Sequence, residues 1–110
     1  MTQERLEEDT VAWSVADGIA WVKFNRPEKR NCMSPKLNRQ MKKVLEALEF
    51  REDVKVLVLT GEGKAWSAGM DLQEYFREHE EKGLWAVRKA QRESYGWFER
   101  LRWYEKPTIA

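Results

Sequence analysis

The chain has 110 residues, 42% hydrophobic and 35% charged, with a formal net charge of +1. That profile belongs to one small folded domain rather than a disordered or fibrous chain, and its near-neutral balance argues against general nucleic-acid binding, which needs a basic face. No apolar run reaches the length of a membrane span, and the polar opening MTQERLEEDT lacks the apolar centre of a signal peptide.

The first legible element is VAWSVADGIAWVKF, two β-rich runs around Asp17-Gly18, whose residues tolerate the dihedrals of a tight hairpin turn. One face would carry Val11, Trp13 and Val15 as sheet core. A polar loop follows, NRPEKRNCMSP, with Arg26, Lys29 and Arg30 close together and Pro27 disfavouring helical geometry at Arg26. Lys29 and Arg30 suit either a phosphate or plain solvation. Ser34 then reads as an N-cap and Pro35 as the first helical residue, where a missing N–H costs nothing. Leu37, Met41, Val44, Leu45 and Leu48 mark one face of a helix running to about Glu49.

VKVLVLT, residues 54 to 60, is almost continuously apolar and β-branched, as in a strand buried on both faces. Gly61 and Gly63 break it, and a helix starts near Met70 or Asp71. After a further break at Gly83 a long helix runs to about Tyr104. Its stripe is Val87, Ala90, Ser94, Trp97, Leu101 and Tyr104, with Arg88, Arg92, Glu93 and Arg100 on the opposite side. Of six tryptophans, Trp85, Trp97 and Trp103 fall in this last third and call for a large covering surface, from further chain or a partner subunit. The closing KPTIA reads as a strand beginning, so the chain is expected to be the N-terminal portion of a longer protein. Helix and strand alternating on this scale predict a layered α/β domain.

The chemistry concentrates in GEGKAWSAGMDLQEYF, residues 61 to 76. Small residues let a ligand approach the main chain closely, and the first N–H groups of the following helix lie at its positive end without internal acceptors. That combination suits a phosphate or a developing oxyanion, although a glycine-rich turn that merely permits packing has the same composition. The spacing is not that of a dinucleotide fingerprint, nor is there a phosphate-binding GKS or GKT sequence. Asp71 would sit in a first helical turn, where a carboxylate is favoured with or without a chemical role. Tyr75 could offer its hydroxyl to an apolar pocket or simply pack.

His79 lacks partners at metal-ligand spacing and reads as a surface residue, so no metal site is expected. Cys32, the single cysteine, has no partner for an intrachain disulfide and no histidine near it in sequence to activate it. A reducing compartment fits, which makes the cytoplasm the expected location.

Three segments together, VKFNRPEKRNCMS, VLVLTGEGKAWSAGMDLQEYF and KPTIA, resemble the enoyl-CoA hydratase/isomerase, or crotonase, superfamily over nearly the whole chain from about Thr10. AGMDLQEYFRE is similar, more narrowly, to the hydroxycinnamoyl-CoA hydratase-lyases. The resemblance implies an α/β spiral of repeated ββα units, of which residues 1–110 would be the N-terminal part, assembled as trimers or hexamers. It implies that the backbone N–H of Met70 helps hold a thioester oxygen, and that Ala68, Gly69, Asp71, Leu72 and Gln73 line the CoA-binding segment. Lys29, with Arg30 beside it, would meet the phosphate-bearing part of CoA. Tyr75 would recognise the phenolic end of a hydroxycinnamoyl group.

The implied reaction hydrates feruloyl-CoA or a relative and cleaves the product to an aromatic aldehyde, such as vanillin, and acetyl-CoA. No cofactor is implied beyond the CoA carried by the substrate. A second oxyanion donor and the catalytic glutamate are expected beyond Ala110, and Glu74 is not a substitute for the latter. Cys32 stands where many relatives have alanine, and Trp66 where phenylalanine is common. Two other readings remain: a crotonase-type hydratase or isomerase for other acyl groups, and a noncatalytic CoA-binding protein.

Overall fold

A computed structural model describes residues 2–5, 10–79 and 82–110, with side chains described over 10–77 and 82–110. Five strands, β1 (Thr2–Arg5), β2 (Val11–Ala16), β3 (Ile19–Phe24), β4 (Val56–Gly61) and β5 (Thr108–Ile109), form one sheet in sequential order. The first three are antiparallel, whereas β4 joins β3 and β5 joins β4 in parallel. Parallel neighbours require crossovers. Helix α1 (Pro35–Glu49) makes the first, and α2 (Leu72–His79) with α3 (Leu84–Arg102) makes the second.

The expected hairpin forms at Asp17-Gly18, where both residues have positive φ, 54° and 80°, as its tight turn demands. Its register sets Val11 opposite Phe24, Trp13 opposite Val22 and Val15 opposite Ala20, so all six share one face. That face is the core side, and each of these residues is buried. Helix α1 lays Leu37, Met41, Val44, Leu45 and Leu48 against it, at the spacing expected of one helical face. The helix begins as anticipated, with Ser34 Oγ accepting from the Leu37 N–H at 3.1 Å and Pro35 in the first turn.

Strand β4 differs from expectation in two ways. It starts at Val56, because Val54 is drawn into a turn by bonding to the Arg51 carbonyl, and it extends to Gly61, which pairs with Phe24. It is also buried on one face rather than both: Leu57 and Leu59 enter the core, while Val56 and Val58 on the other face are half-buried. The core lies on one side of the sheet, under α1 and Trp97 of α3.

In α3, Ala90, Ser94 and Trp97 are buried and Leu101 packs against the core, as does Tyr104 just beyond the helix end, but Val87 is exposed. Arg100 was expected on the outer side and is instead turned toward α1. There it pairs with Glu49 at 2.8 Å, because the buried Glu49 carboxylate needs a counter-charge. The Trp-rich segment divides. Trp97 is covered by the core, with Phe24 edge-on at 5.9 Å, while Trp85 and Trp103 are 79% and 72% exposed.

Candidate active site

The segment following β4 doubles back over the loop that follows β3, and Asn31 pins the two together. Asn31 is fully buried and has φ 57°, a left-handed conformation that asparagine tolerates better than most residues. Its Oδ1 accepts from the Arg26 N–H at 2.8 Å, and its Nδ2 donates to the carbonyls of Glu62 (2.8 Å) and Ala65 (2.7 Å). Its own carbonyl accepts from Ser67 Oγ at 2.8 Å. Asparagine is suited to this position because it offers donors and an acceptor at one site. Spacing along the chain does not mark Asn31, since all its partners but Arg26 lie more than thirty residues away.

Gly61 allows this close approach. A Cβ there would lie 2.3 Å from the Trp66 carbonyl oxygen and 2.7 Å from both the Ala65 carbonyl oxygen and Asn31 Nδ2. Trp66 itself leans edge-on against Phe24 at 5.0 Å and donates its indole N–H to the Leu59 carbonyl.

Downstream of Trp66 the main-chain donors are assigned one by one. Ala68 N–H donates to the Arg30 carbonyl (2.9 Å), Gly69 N–H to Ser67 Oγ (3.2 Å) and Asp71 N–H to the Met33 carbonyl (2.9 Å). Met33 N–H returns a bond to the Gly69 carbonyl at 2.6 Å, which makes Met33 and Met70 a parallel bridge. In such a bridge Met33 bonds to the residues on either side of Met70, so the N–H of Met70 faces away from it. Among the described residues, Met70 is the one position in 68–71 whose N–H has no protein acceptor. Leu72 and Gln73 follow immediately, at the positive end of α2.

Asp71 holds this arrangement in place. Oδ1 accepts from the Glu74 N–H at 3.1 Å, capping α2, and Oδ2 meets Arg26 Nη2 at 3.0 Å. Arg26 also donates to the Cys32 carbonyl at 2.7 Å. Burial works against the Asp71 carboxylate, but the Glu74 N–H and the Arg26 guanidinium outweigh it and hold its pKa below the usual range. Burial, followed by the Asp71 charge, pushes the Cys32 thiol up, so it stays protonated at neutral pH.

A pocket of about 900 Å³ opens between α2 and α3, lined by Met70, Leu72, Gln73, Tyr75, Phe76 and Ala90 among others. Tyr75 borders it as a buried residue, with its hydroxyl bonded to Asn38 and Ser94. Lys29 and Arg30 lie on the exposed surface of the preceding loop, in and just after a 3-10 turn (Pro27–Lys29). Thus Met70, Leu72, Gln73 and Tyr75 come together at one pocket. Ala68, Gly69 and Asp71 flank Met70 in sequence but, like the two basic residues Lys29 and Arg30, stand outside its lining. Glu74 pairs with Arg77 at 3.0 Å on the exposed side of α2. The side chain of His79 lies outside the described residues. Among the described residues no cluster of His, Cys, Asp or Glu is arranged to hold a metal ion, and no helix is long and apolar enough to cross a membrane.

A layered α/β unit that presents an uncommitted amide near a helix's positive end, beside an apolar pocket, has a donor of the kind that suits a polarised oxygen attached to an apolar group. The chain belongs to the enoyl-CoA hydratase/isomerase family, which it matches over residues 14–110. It is 56% identical over 102 residues to the hydroxycinnamoyl-CoA hydratase-lyase of Pseudomonas fluorescens, covering 92% of this chain and 37% of that protein. A 4-chlorobenzoyl coenzyme A dehalogenase of Arthrobacter sp is 45% identical over 58 residues, 53% of this chain and 21% of the relative. Among solved structures, an enoyl-CoA hydratase/isomerase from Xanthobacter autotrophicus Py2 superposes with a TM-score of 0.84 at 28% identity, over 93% of this chain and 38% of that one. The fold is accordingly the α/β crotonase fold, of which the chain spans well under half the length of these relatives.

Proposed function

We propose that the full protein hydrates 4-hydroxycinnamoyl-CoA thioesters, feruloyl-CoA among them, and cleaves the hydrated product to an aromatic aldehyde and acetyl-CoA. The observation that carries this reading is the Met70 amide, which the Met33 bridge turns outward next to a pocket bordered by Tyr75. The 56% identity to a hydroxycinnamoyl-CoA hydratase-lyase supports the acyl group.

The chemistry follows from where charge develops. Water adds its oxygen to Cβ and a proton to Cα, passing through a thioester enolate. In the cleavage step the β-hydroxyl loses its proton and the Cα–Cβ bond breaks. Cβ becomes the aldehyde carbon, and the electron pair returns to the thioester as an enolate that protonates to acetyl-CoA. Both steps place negative charge on the thioester oxygen, so one aimed amide serves both. The Met70 main chain supplies that donor, and its side chain has no chemical part. Ala68, Gly69, Asp71, Leu72 and Gln73 shape the CoA-binding wall, with Lys29 and Arg30 poised on the surface for the phosphate-bearing end. Tyr75 meets the phenol. The acid–base glutamate and a second amide belong to chain beyond these residues, and no cofactor is needed beyond substrate-borne CoA. A cytoplasmic trimer or hexamer completes the reading.

The test is to incubate full-length protein with feruloyl-CoA and look for vanillin with acetyl-CoA. Hydration without carbon–carbon cleavage removes the lyase assignment. Turnover of aliphatic enoyl-CoA alone favours the plain hydratase reading, and tight CoA binding without turnover favours a binding protein.

A further inference from the structure

Behind the pocket, side chains from all three helices join in a hydrogen-bond network. The Trp97 indole N–H can only donate, so the atom it meets at 2.8 Å is the oxygen of Asn38. That orientation turns Asn38 Nδ2 toward the Tyr75 hydroxyl at 2.5 Å and Ser94 Oγ at 3.3 Å, one hydrogen to each. The Ser94 hydroxyl donates to the Ala90 carbonyl, one turn back, at 2.9 Å. Its single hydrogen is committed there. In the contact between the two hydroxyls, Tyr75 is therefore the donor and Ser94 the acceptor. All four residues, Asn38, Tyr75, Ser94 and Trp97, are buried, where a misdirected hydrogen would leave a polar group without a partner.

We propose that Asn38 and Ser94 are positioning residues. They hold the Tyr75 hydroxyl with its hydrogen turned inward, so that Tyr75 meets a ligand's phenol as a hydrogen-bond acceptor. The proposal rests on the reading of this pocket as one for 4-hydroxycinnamoyl thioesters. A free 4-hydroxyl has a hydrogen to give such an oxygen; a 4-methoxy group has none. Discrimination between the two is thus set one layer behind the pocket wall, by the direction in which the Trp97–Asn38 contact locks the amide. A network that served packing alone would stabilise the helices equally well with either polarity and would leave ligand preference unchanged when opened.

The experiment uses full-length protein and compares kcat/KM for 4-hydroxy- and 4-methoxycinnamoyl-CoA in wild type, Ser94→Ala and Ser94→Thr. Wild type is expected to favour the 4-hydroxyl. Ser94→Ala frees the Tyr75 hydrogen to turn outward and lowers the ratio about tenfold, the worth of one hydrogen bond, chiefly through KM. Ser94→Thr, which keeps the hydroxyl, restores it. A folded Ser94→Ala with the wild-type ratio overturns the proposal while leaving the substrate reading intact. Wild type that turns over neither thioester overturns the substrate reading, and the proposal with it. Should Ser94→Ala not fold, the tyrosine Raman doublet of wild type, isolated by difference against Tyr75→Phe, decides the matter. A doublet reporting a donating hydroxyl is expected, and an acceptor-only doublet overturns the assignment.

Discussion

Arg26 and Asp71, forty-five residues apart in sequence, meet at 3.0 Å across the base of the candidate site, and both side chains are nearly closed to solvent. The pair ties the loop after β3 to the first turn of α2, and Met70 hangs between its two anchors, Met33 and Asp71. The orientation of the amide proposed to stabilise the enolate is therefore supported by an ion pair on its neighbouring residue.

That pair gives a pH dependence. Asp71 has a folded pKa held below its ordinary value, so its contribution to stability is fully present above the ordinary carboxylate range and is lost as pH falls through the lowered folded value. Arg26→Ala leaves a buried carboxylate without its counter-charge and is expected to cost about 3 kcal/mol at neutral pH. Denaturant unfolding across an acid titration checks both points. Asp71→Asn should flatten the acid limb of the stability curve, and an unchanged limb would contradict this assignment.

Asn31→Ala removes three hydrogen bonds made by a buried side chain and places alanine at φ 57°. The expected loss is about 3–5 kcal/mol, from unpaired buried groups together with left-handed strain. Equilibrium unfolding of the full protein measures it. A loss under about 1 kcal/mol would mean that water or neighbouring groups replace the side chain.

Gly61→Ala is expected to destabilise by about 3 kcal/mol, because the new methyl group meets backbone oxygens, which cannot swing aside. The loop must shift outward and carry residues 65–70 with it. Activity should then fall by more than stability alone explains, as seen in kcat measured well below the melting temperature. Full kcat in a folded variant would show the amide geometry to be independent of this crossing.

The features legible in the sequence were those whose causes are local. Ser34-Pro35 announced the start of α1 because cap and first turn are adjacent, and Asp17-Gly18 announced the hairpin because its dihedrals belong to those two residues. The ends of β4 were less legible: Val54 is as apolar as its neighbours but is claimed by a turn from Arg51. Arg100 was misplaced because charge alone does not say that a buried Glu49 waits on another helix. Asn31 and Asn38 gave no signal, since apart from the nearby Arg26 N–H their hydrogen-bond partners arrive only after the chain has folded back. Met70 and Tyr75 were named through the family resemblance and not through spacing, and the fold brings both to the lining of one pocket.

Tyr75→Phe is expected to lower kcat/KM for 4-hydroxylated thioesters by about tenfold, through loss of the phenol contact. It should also destabilise the fold by about 1–2 kcal/mol, since Asn38 and Ser94 each lose a partner. Steady-state kinetics on a panel of ring-substituted thioesters separates the two effects. Unchanged kinetics with 4-hydroxylated substrates would remove Tyr75 from substrate recognition.

The outward-facing amide beside the pocket can be observed directly, in a crystal structure of the full protein bound to an unreactive hydroxycinnamoyl-CoA analogue. The account predicts the thioester oxygen at about 2.7–3.1 Å from the Met70 nitrogen. A thioester oxygen seated elsewhere, with the Met70 N–H donating to a protein acceptor, would contradict it.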